Sequence, residues 1–405
     1  MTSTFPATPA STEMGIAHVS RHSSARTLLD LFFPVHYAVG MKVEDTLRSS
    51  EMLNRHQAVI LWLIRSEGQD GMAMRRKYIE SVMASWYDIS SSTISKTIRA
   101  LAKPPLSLIT IEEHPQSARE KLITLTPVGK DFTQKMVENG TALCTWYLDK
   151  MSERAADVDI CLYIFSKVNA IFDRVIEAEK LEKNELSQGH ISSESVLRHP
   201  LSSSFIEQSY SQDQIPHIPE EYAALMQLDV FFPIQYKAGN RLEEVLRSGV
   251  ALSRQQVIVL WIIAAEGVDG KGMRRKSIET AMRDWLEINS SSISKAIRSL
   301  TVSPLDLLTL EEHPESGREK LVQLNAKGES FVQQMFDNGT RFLEQVIDHL
   351  SDDEIDMVIH IFARTSQIFE HFPGPFRSAQ PLPQLRHQEP DRLSSEPVLD
   401  PLGAS

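Results

Sequence analysis

Apolar residues recur with helical spacing near the start of the chain. Val35, Val39, Val43 and Leu47 lie four positions apart directly after Pro34. This spacing places the four side chains on one face of a helix, and proline is well tolerated at a helix entry. The pattern therefore predicts an amphipathic helix that begins at Pro34.

A buried helix is predicted where a polar start signal precedes a continuous apolar run. Ser253 and Gln256 have the S-x-x-Q spacing of a capping box, and the apolar run 257–265 follows. Asn54 and Gln57 form the counterpart of this signal earlier in the chain. Because the run is apolar on every side, the helix is expected to be central and buried.

The segment 75–103 predicts two short helices in succession. A basic-headed helix over 75–86 is followed by a break at 88–90 and by a second helix with Ser90 or Ser91 as its N-cap. The core face of the second helix would comprise Ile94, Ile98 and Leu101, and its polar face Ser92, Lys96 and Arg99. A short helix that packs by one side on its predecessor is typical of a helix-turn-helix, which reads the major groove of DNA.

Two strand-like runs, 108–113 and 120–126, follow this pair and flank a polar turn at 114–119. A hairpin directly after a recognition helix predicts a wing. Arg119 lies at its far edge, where an arginine can enter the narrow, electronegative minor groove. Beyond Gly129, the helical patterns 130–151 and 152–175 are too apolar to be stable alone and require a partner surface.

The whole arrangement occurs twice. Residues 74–77 return as 273–276, and residues 112–115 return as 311–314, both at a shift of 199 positions. The shift continues without a gap to Ser152 and Ser351, and roughly half of the paired positions are identical. The chain is therefore predicted to be a tandem duplication of one domain.

Composition sets the expected boundaries. They are a disordered tail at 1–27, a first repeat at 28–176, an acidic and polar linker at 177–221, a second repeat at 222–372, and a disordered Pro-rich tail at 373–405. The expected fold is mainly α with small β-hairpin wings (α+β), in which tandem winged helix-turn-helix domains pack as an intramolecular pseudo-dimer.

A net charge of −12 is unusual for a protein that neutralises phosphates with Lys and Arg. The negative charge is, however, unevenly distributed along the chain. The linker holds nine acidic and three basic residues, which is half of the excess. Residues 74–121 carry eight basic and five acidic residues, whereas 273–320 carry eight of each. The first repeat is thus the more favourable for DNA.

Other features exclude several classes of protein. No apolar run reaches the roughly 18–20 residues of a membrane span, and the N-terminus lacks the apolar centre of a secretory signal, so a cytoplasmic, nucleoid-associated location is expected. Cys144 and Cys161 lack the spacing of a disulfide framework or a zinc site. Without a phosphate loop or a nucleophile constellation, we expect no metal, no cofactor and no enzymatic activity.

The segment 91–101, Ser-Ser-Thr-Ile-Ser-Lys-Thr-Ile-Arg-Ala-Leu, and the segment 119–129, which ends in an L-T-x-x-G pattern, resemble the recognition helix and wing of the MarR family of bacterial regulators. The resemblance extends over about 30–175 and 229–370. It implies winged-helix domains that dimerise through their outer helices and bind double-stranded DNA. In many MarR-like proteins a small phenolic ligand lies between the dimerisation helices and the DNA-binding lobe.

The chain departs from the family pattern in its wings. The family wing reads Asp-x-Arg, whereas Ser117 and Ser316 stand at the Asp positions, so Arg119 and Arg318 lack that brace. The second wing closes as 324–328 without the Thr-Pro of the first. Together with its charge balance, this predicts weaker DNA contact for the second repeat.

The residues predicted to contact DNA carry cationic or hydroxyl groups, which donate to phosphates or base edges. In the first repeat they are Arg75, Arg76, Lys77, Ser91, Ser92, Thr93, Ser95, Lys96, Arg99, Arg119 and Lys121. In the second repeat they are Arg274, Arg275, Lys276, Ser291, Ser292, Ser294, Lys295, Arg298, Arg318 and Lys320. Phe33, Trp62 and Phe132 are expected to be core residues, and the alternative is that they line a site for a small apolar or phenolic effector.

The leading hypothesis is a transcriptional regulator that binds duplex DNA as a single-chain pseudo-dimer, with recognition helices in successive major grooves and wings at the minor groove. Because the heads differ, the preferred site need not be palindromic. Two alternatives stay open. One is a protein-interaction module without DNA binding, and the other is a plasmid replication initiator. The chain is expected to act as a monomer, with higher oligomers left open.

Overall fold

The structure, a computed structural model, describes residues 20–48, 53–87, 89–114, 117–152, 156–182, 207–247, 252–286, 288–313 and 316–376. The first repeat contains α1 (Arg21–Pro34), a π-helical segment (Val35–Val39), α2 (Gly40–Leu47), α3 (Arg55–Glu67), β1 (Ala73–Arg75), α4 (Arg76–Tyr87), α5 (Ser91–Ala102), β2 (Ile109–His114), β3 (Ser117–Leu125), α6 (Pro127–Met151) and α7 (Asp157–Glu182). The second contains α8 (Glu220–Pro233), a π-helical segment (Ile234–Ala238), α9 (Gly239–Arg247), α10 (Arg254–Glu266), β4 (Gly272–Arg274), α11 (Arg275–Trp285), α12 (Ser290–Leu300), β5 (Leu308–His313), β6 (Ser316–Leu324), α13 (Ala326–Ile347) and α14 (Asp352–Glu370). The predicted mainly helical α+β class is confirmed.

The first helix of each repeat passes through a proline. Pro34 ends α1, and the chain continues through the π-helical segment into α2. Proline has no N–H to donate and its ring crowds the carbonyl four residues earlier, and a wider turn accommodates both effects. The predicted start at Pro34 was therefore wrong, because the helix begins at Arg21, where the Ser20 side chain accepts from the Ser23 N–H.

Three other predicted boundaries also change. Residues 20–27 are the cap and first turns of α1 instead of a disordered tail, and α7 extends to Glu182, six residues into the predicted linker. At the other end, the Phe376 ring lies 5.9 Å from Trp146, so 373–376 pack on the first repeat. The other repeat contacts two of these segments, since Arg21 donates to the Ile347 carbonyl and Phe376 packs on Trp146, and composition alone does not reveal such contacts. The remainder of the predicted tails and linker, 1–19, 183–206 and 377–405, lies outside the described residues.

The predicted central helices are confirmed, with both of their capping boxes. In α3 the Gln57 N–H donates to the Asn54 side chain at 3.0 Å, and the Asn54 N–H donates back to the Gln57 side chain at 2.9 Å. Ser253 and Gln256 make the same reciprocal pair at the start of α10. Residues 57–64 are buried without a break, as expected for a helix that is surrounded by the core.

The predicted hairpin is confirmed, but it belongs to a sheet of three strands. In the first repeat the order is β1-β3-β2, all antiparallel, with Arg75 opposite Leu122. The second sheet repeats this order. Arg75 lies in β1 and not, as the sequence predicts, at the start of a helix. β1 has only three residues, so no alternation in the sequence indicates a strand there. The tip residues 115–116 lie outside the described part.

The two repeats pack against each other through reciprocal contacts. Helix α1 packs on α13 and α14, and its counterpart α8 packs on α6 and α7. Glycines allow the close approach, since a Cβ on Gly140 would lie 2.8 Å from the Leu228 side chain and one on Gly339 would lie 3.0 Å from Leu29. Contacts that recur with the repeats exchanged are those of an approximately twofold interface.

The described part of the linker packs on this interface. The Tyr163 hydroxyl in α7 donates to the Gln208 carbonyl at 2.8 Å, and the Ile218 N–H donates to the Asp159 carboxylate at 2.8 Å. Ile218 is itself buried. The stretch 207–219 is therefore part of the folded body.

Candidate nucleic-acid interface

Each repeat presents an exposed polar face on the second helix of its helix-turn-helix. The Ser90 side chain caps α5, and Ile94, Ile98 and Leu101 are buried, as predicted. The opposite side of α5 is exposed at Ser91, Ser92, Thr93, Lys96 and Arg99. In α12 the exposed residues include Ser291, Lys295 and Arg298, while Ser292 is half-buried. We call these two polar surfaces the recognition faces.

The recognition faces of the two repeats carry nearly the same chemistry. Ser92, Lys96 and Arg99 are matched by identical residues at 291, 295 and 298. Thr93 is matched by Ser292, which keeps the hydroxyl. The charge difference between the repeats therefore lies outside these faces.

In each repeat, an arginine and a serine that are predicted to contact DNA join the two helices of the helix-turn-helix. Arg76 donates to Glu80 at 2.9 Å and to the Ser95 hydroxyl at 2.8 Å, and that hydroxyl donates to Glu80 at 3.2 Å. Arg275, Glu279 and Ser294 make the corresponding arginine contacts in the second repeat. These side chains join α4 to α5 and α11 to α12, a role that helical periodicity alone does not reveal.

The basic residues at the base of each wing pair with glutamates. Arg75 lies 3.6 Å from Glu120, and Lys121 lies 3.0 Å from Glu113. In the second repeat Arg274 lies 3.3 Å from Glu319 and Lys320 lies 3.0 Å from Glu312. All these pairs are solvent-accessible, and such pairs contribute only about 0–1 kcal/mol, so a phosphate can compete for the cation.

The other residues predicted to contact DNA lie in the first turns of two helices and close to the wing tips. Lys77 and Lys276 are exposed in the first turns of α4 and α11. Arg119 belongs to β3 and Arg318 to β6, close to the wing tips, and their side chains lie outside the described part of the chain.

The residues predicted to line an effector site are packed in the core. Phe33, Trp62 and Phe132 are all buried, and the Phe33 ring stacks on Trp261 at 3.7 Å. A cavity of about 20 Å³ lies nearby, between the two π-helical segments. This volume suits about one water molecule, not a phenolic ring.

A polar cluster that the sequence did not predict lies between the repeats. Glu243 accepts from Arg254 at 2.9 Å, from His36 Nε2 at 3.1 Å and from the Tyr37 hydroxyl. In the opposite half of the interface, Glu44 pairs with Arg55. We call these the Glu243 cluster and the Glu44 cluster.

Burial and charge act in opposite directions inside the Glu243 cluster. Burial by itself raises the pKa of Glu243, but Arg254, His36 and Tyr37 outweigh it and lower that pKa to about 2. Burial also lowers the pKa of His36 below its ordinary value, and Glu243 opposes this only in part. His36 is therefore neutral and Glu243 ionised at neutral pH.

The described residues contain no membrane-spanning helix and no group arranged as a metal site. None of their helices is both long enough and apolar enough to cross a membrane. No group of three or more His, Cys, Asp and Glu side chains in that part of the chain is arranged to hold a metal ion.

Comparison with known protein families gives the same match in both repeats. A family described as winged helix DNA-binding domain matches residues 53–129 and again residues 252–328. Each match runs from the capping box through the helix-turn-helix and wing to the start of the next helix. No curated protein matches the chain. The match does not reach the finer resemblance to the MarR family, which stays a prediction. The chain thus contains two winged-helix domains in tandem, each similar to a winged helix DNA-binding domain.

Proposed function

We propose that this protein is a transcriptional regulator that binds specific duplex DNA sequences as a single-chain pseudo-dimer. The observation that carries the proposal is the exposure of the same Ser, Lys and Arg side chains on both recognition faces, within domains similar to DNA-binding ones. Lys and Arg in such positions donate to guanine O6 and N7, and serine donates to phosphates or base edges. Each recognition helix would lie in a major groove, with its wing at the adjacent minor groove.

The reciprocal packing of the repeats supports a site of inverted symmetry. Two heads related by a twofold axis read half-sites in opposite orientation, about one helical turn apart. Since the recognition faces match, we expect the two half-sites to have nearly the same sequence. The difference between the heads allowed a site that is not palindromic, and the matching faces favour one that is nearly so. A replication initiator that reads direct repeats is disfavoured by the same argument.

The protein-interaction module remains the second candidate, because a specific observation favours it. Four basic residues at the wing bases are paired with glutamates, and the net charge is −12. A surface of paired charges suits a protein partner as well as a phosphate backbone. The two candidates differ in whether the isolated protein enriches any DNA sequence.

Selection from a random duplex library at low salt makes this test. We expect one inverted-repeat motif spanning two half-sites, and a loss of roughly 10–100-fold in affinity for Arg99→Ala and for Arg298→Ala. Arg341→Ala provides a matched control, since Arg341 is exposed on α13 and belongs to neither helix-turn-helix. Failure to enrich a motif, or unchanged affinity in both recognition-face variants, would contradict the regulator.

A further inference from the structure

We propose that Tyr37 and Tyr236 are positioning residues that fix the distance and orientation between the two recognition helices, and thereby select the half-site spacing on DNA. This inference rests on the proposed function, because spacing has a meaning only for a chain that binds two half-sites. Neither tyrosine lies in a helix-turn-helix, and each acts on the head of the other repeat.

Each tyrosine stacks on a tryptophan of the opposite head. The ring centroids of Tyr236 and Trp86 lie 4.5 Å apart with planes at 15°, and those of Tyr37 and Trp285 lie 5.3 Å apart at 6°. Trp86 is the penultimate residue of α4 and Trp285 is the last residue of α11. Both contacts therefore fall directly before the turn into a recognition helix.

Hydrogen bonds hold the tyrosines in place. Both rings are buried. The Tyr37 hydroxyl donates to Glu243, and the Tyr87 hydroxyl donates to the Tyr236 hydroxyl at 2.7 Å. Arg254 also reaches across the repeats, since its Nη1 donates to the Trp86 carbonyl at 3.4 Å. A stack whose hydroxyl is anchored resists sliding along the tryptophan face.

Close backbone approach sets the two stacks in register with each other. The His36 ring lies against Gly239, where a Cβ would be 2.1 Å from the ring, and the Gln235 amide lies against Gly40, where a Cβ would be 1.9 Å away. These residues directly precede Tyr37 and Tyr236 in the chain. The two π-helical segments thus lie against each other, and each tyrosine directly follows a residue in that contact.

A rigid link of this kind makes the spacing of half-sites critical. One inserted base pair moves a half-site by about 3.4 Å and rotates it by about 35° around the DNA axis. A head anchored at its turn by the other repeat cannot follow that displacement. Without the stacks, each head would keep only its contacts with its own repeat and with the remaining interface.

The decisive experiment measures the binding of operators whose half-sites are moved apart or together by one base pair. For the unaltered protein we expect a loss of about tenfold at either altered spacing, and for the double variant Tyr37→Leu/Tyr236→Leu a loss of no more than about threefold. The double variant Tyr37→Phe/Tyr236→Phe keeps both stacks but loses their hydroxyl anchors, so its spacing optimum should remain sharper than that of the leucine double variant. Should the leucine double variant not fold, either single variant makes the same test on one head.

Trp146→Ala provides the matched control for lost packing. Trp146 contacts Phe369, Phe372 and Phe376 of the other repeat, far in sequence from either helix-turn-helix. We expect this variant to lose stability but to keep the spacing optimum. If Trp146→Ala broadens the spacing optimum as much as the leucine double variant does, the positioning role is overturned. Any weakening of the interface would then be enough to relax the spacing requirement.

A measurement without DNA separates this inference from the proposed function. Spin labels attached through Ser92→Cys and Ser291→Cys report the distance between the two recognition helices, and native Cys144 and Cys161 are buried and shielded from labelling. We expect one narrow distance distribution, which widens by at least about 3.4 Å, the step of one base pair, in the leucine double variant. An unchanged width would refute the positioning role even if the protein binds DNA. A protein that enriches no motif but shows this widening would refute the regulator alone.

Discussion

The recognition faces of the two repeats are almost the same, whereas the two halves of the interface between the repeats are not. His36, which lies against Gly239, is matched by Gln235, which lies against Gly40, and Tyr87 is matched by Leu286. In a homodimer each interface residue occurs twice and must suit both environments. A fused chain removes that constraint, because each position is encoded separately, while the proposed DNA site of inverted symmetry would keep the recognition faces alike.

The largest expected effect comes from breaking the charge pair in the Glu243 cluster. Glu243→Gln leaves the buried guanidinium of Arg254 without its carboxylate, and we expect the free energy of unfolding to fall by about 3–5 kcal/mol. Urea denaturation at pH 7.5 measures the loss. Glu44→Gln should cost a similar amount through Arg55. A loss below about 1 kcal/mol in both variants would mean that neither cluster stabilises the interface.

The two close-approach glycines should differ in their tolerance of a methyl group. Gly239→Ala meets the rigid His36 ring and should destabilise the protein by about 1–3 kcal/mol, whereas Gly40→Ala meets the flexible end of Gln235 and should be nearly neutral. Helix propensity favours alanine equally at both sites, so it does not affect the comparison. Equal losses in thermal or urea unfolding would show that the ring and the amide are equally fixed.

The histidine should make one half of the interface sensitive to pH. Groups facing His36 are Glu243, Tyr37, Arg254 and Arg55, and its Nδ1 is buried without a partner in the described structure. Because burial lowers the pKa of His36 in the folded state, the unfolded chain binds its proton first as the pH falls below 6.5. Stability is therefore complete above pH 6.5 and decreases as the pH falls from there towards the lowered pKa.

We expect His36→Gln, which installs the residue of the other repeat, to remove about 1 kcal/mol of the stability difference between pH 7.5 and 5.5. The lowered pKa of Glu243 acts only below its ordinary value of 4.5, outside this range. Urea midpoints at the two pH values provide the measurement. An identical pH dependence in the variant and the unaltered protein would contradict a neutral, buried His36.

The smallest effect concerns charge outside the recognition faces. Val302 is exposed where the first repeat has Lys103. If that lysine contacts a phosphate, Val302→Lys should strengthen DNA binding about two- to threefold and steepen the salt dependence by about one ion. Lys103→Val should do the reverse. Titrations at several salt concentrations would show whether either substitution leaves the slope unchanged, which would place both positions away from the backbone of the DNA.

Local patterns determined much of this protein. The capping boxes at Asn54 and Ser253, the buried stripe of α5 and the wing strands depend on residues close in sequence, and the duplication is visible as a repeat. The exposed Lys96 and Arg99 follow from the same periodicity, because a helix with one buried side must expose the other.

The tertiary structure decided everything that depends on residues far apart. β1 is too short to show an alternation, and it exists because β3 pairs with it. The brace between Arg76 and Ser95 appears only when α4 and α5 cross. Pro34 continues a helix instead of starting one, since α13 and α14 of the other repeat cover α1. The tyrosine stacks join residues about 150 and about 250 positions apart, a separation at which no periodicity in the sequence records a contact.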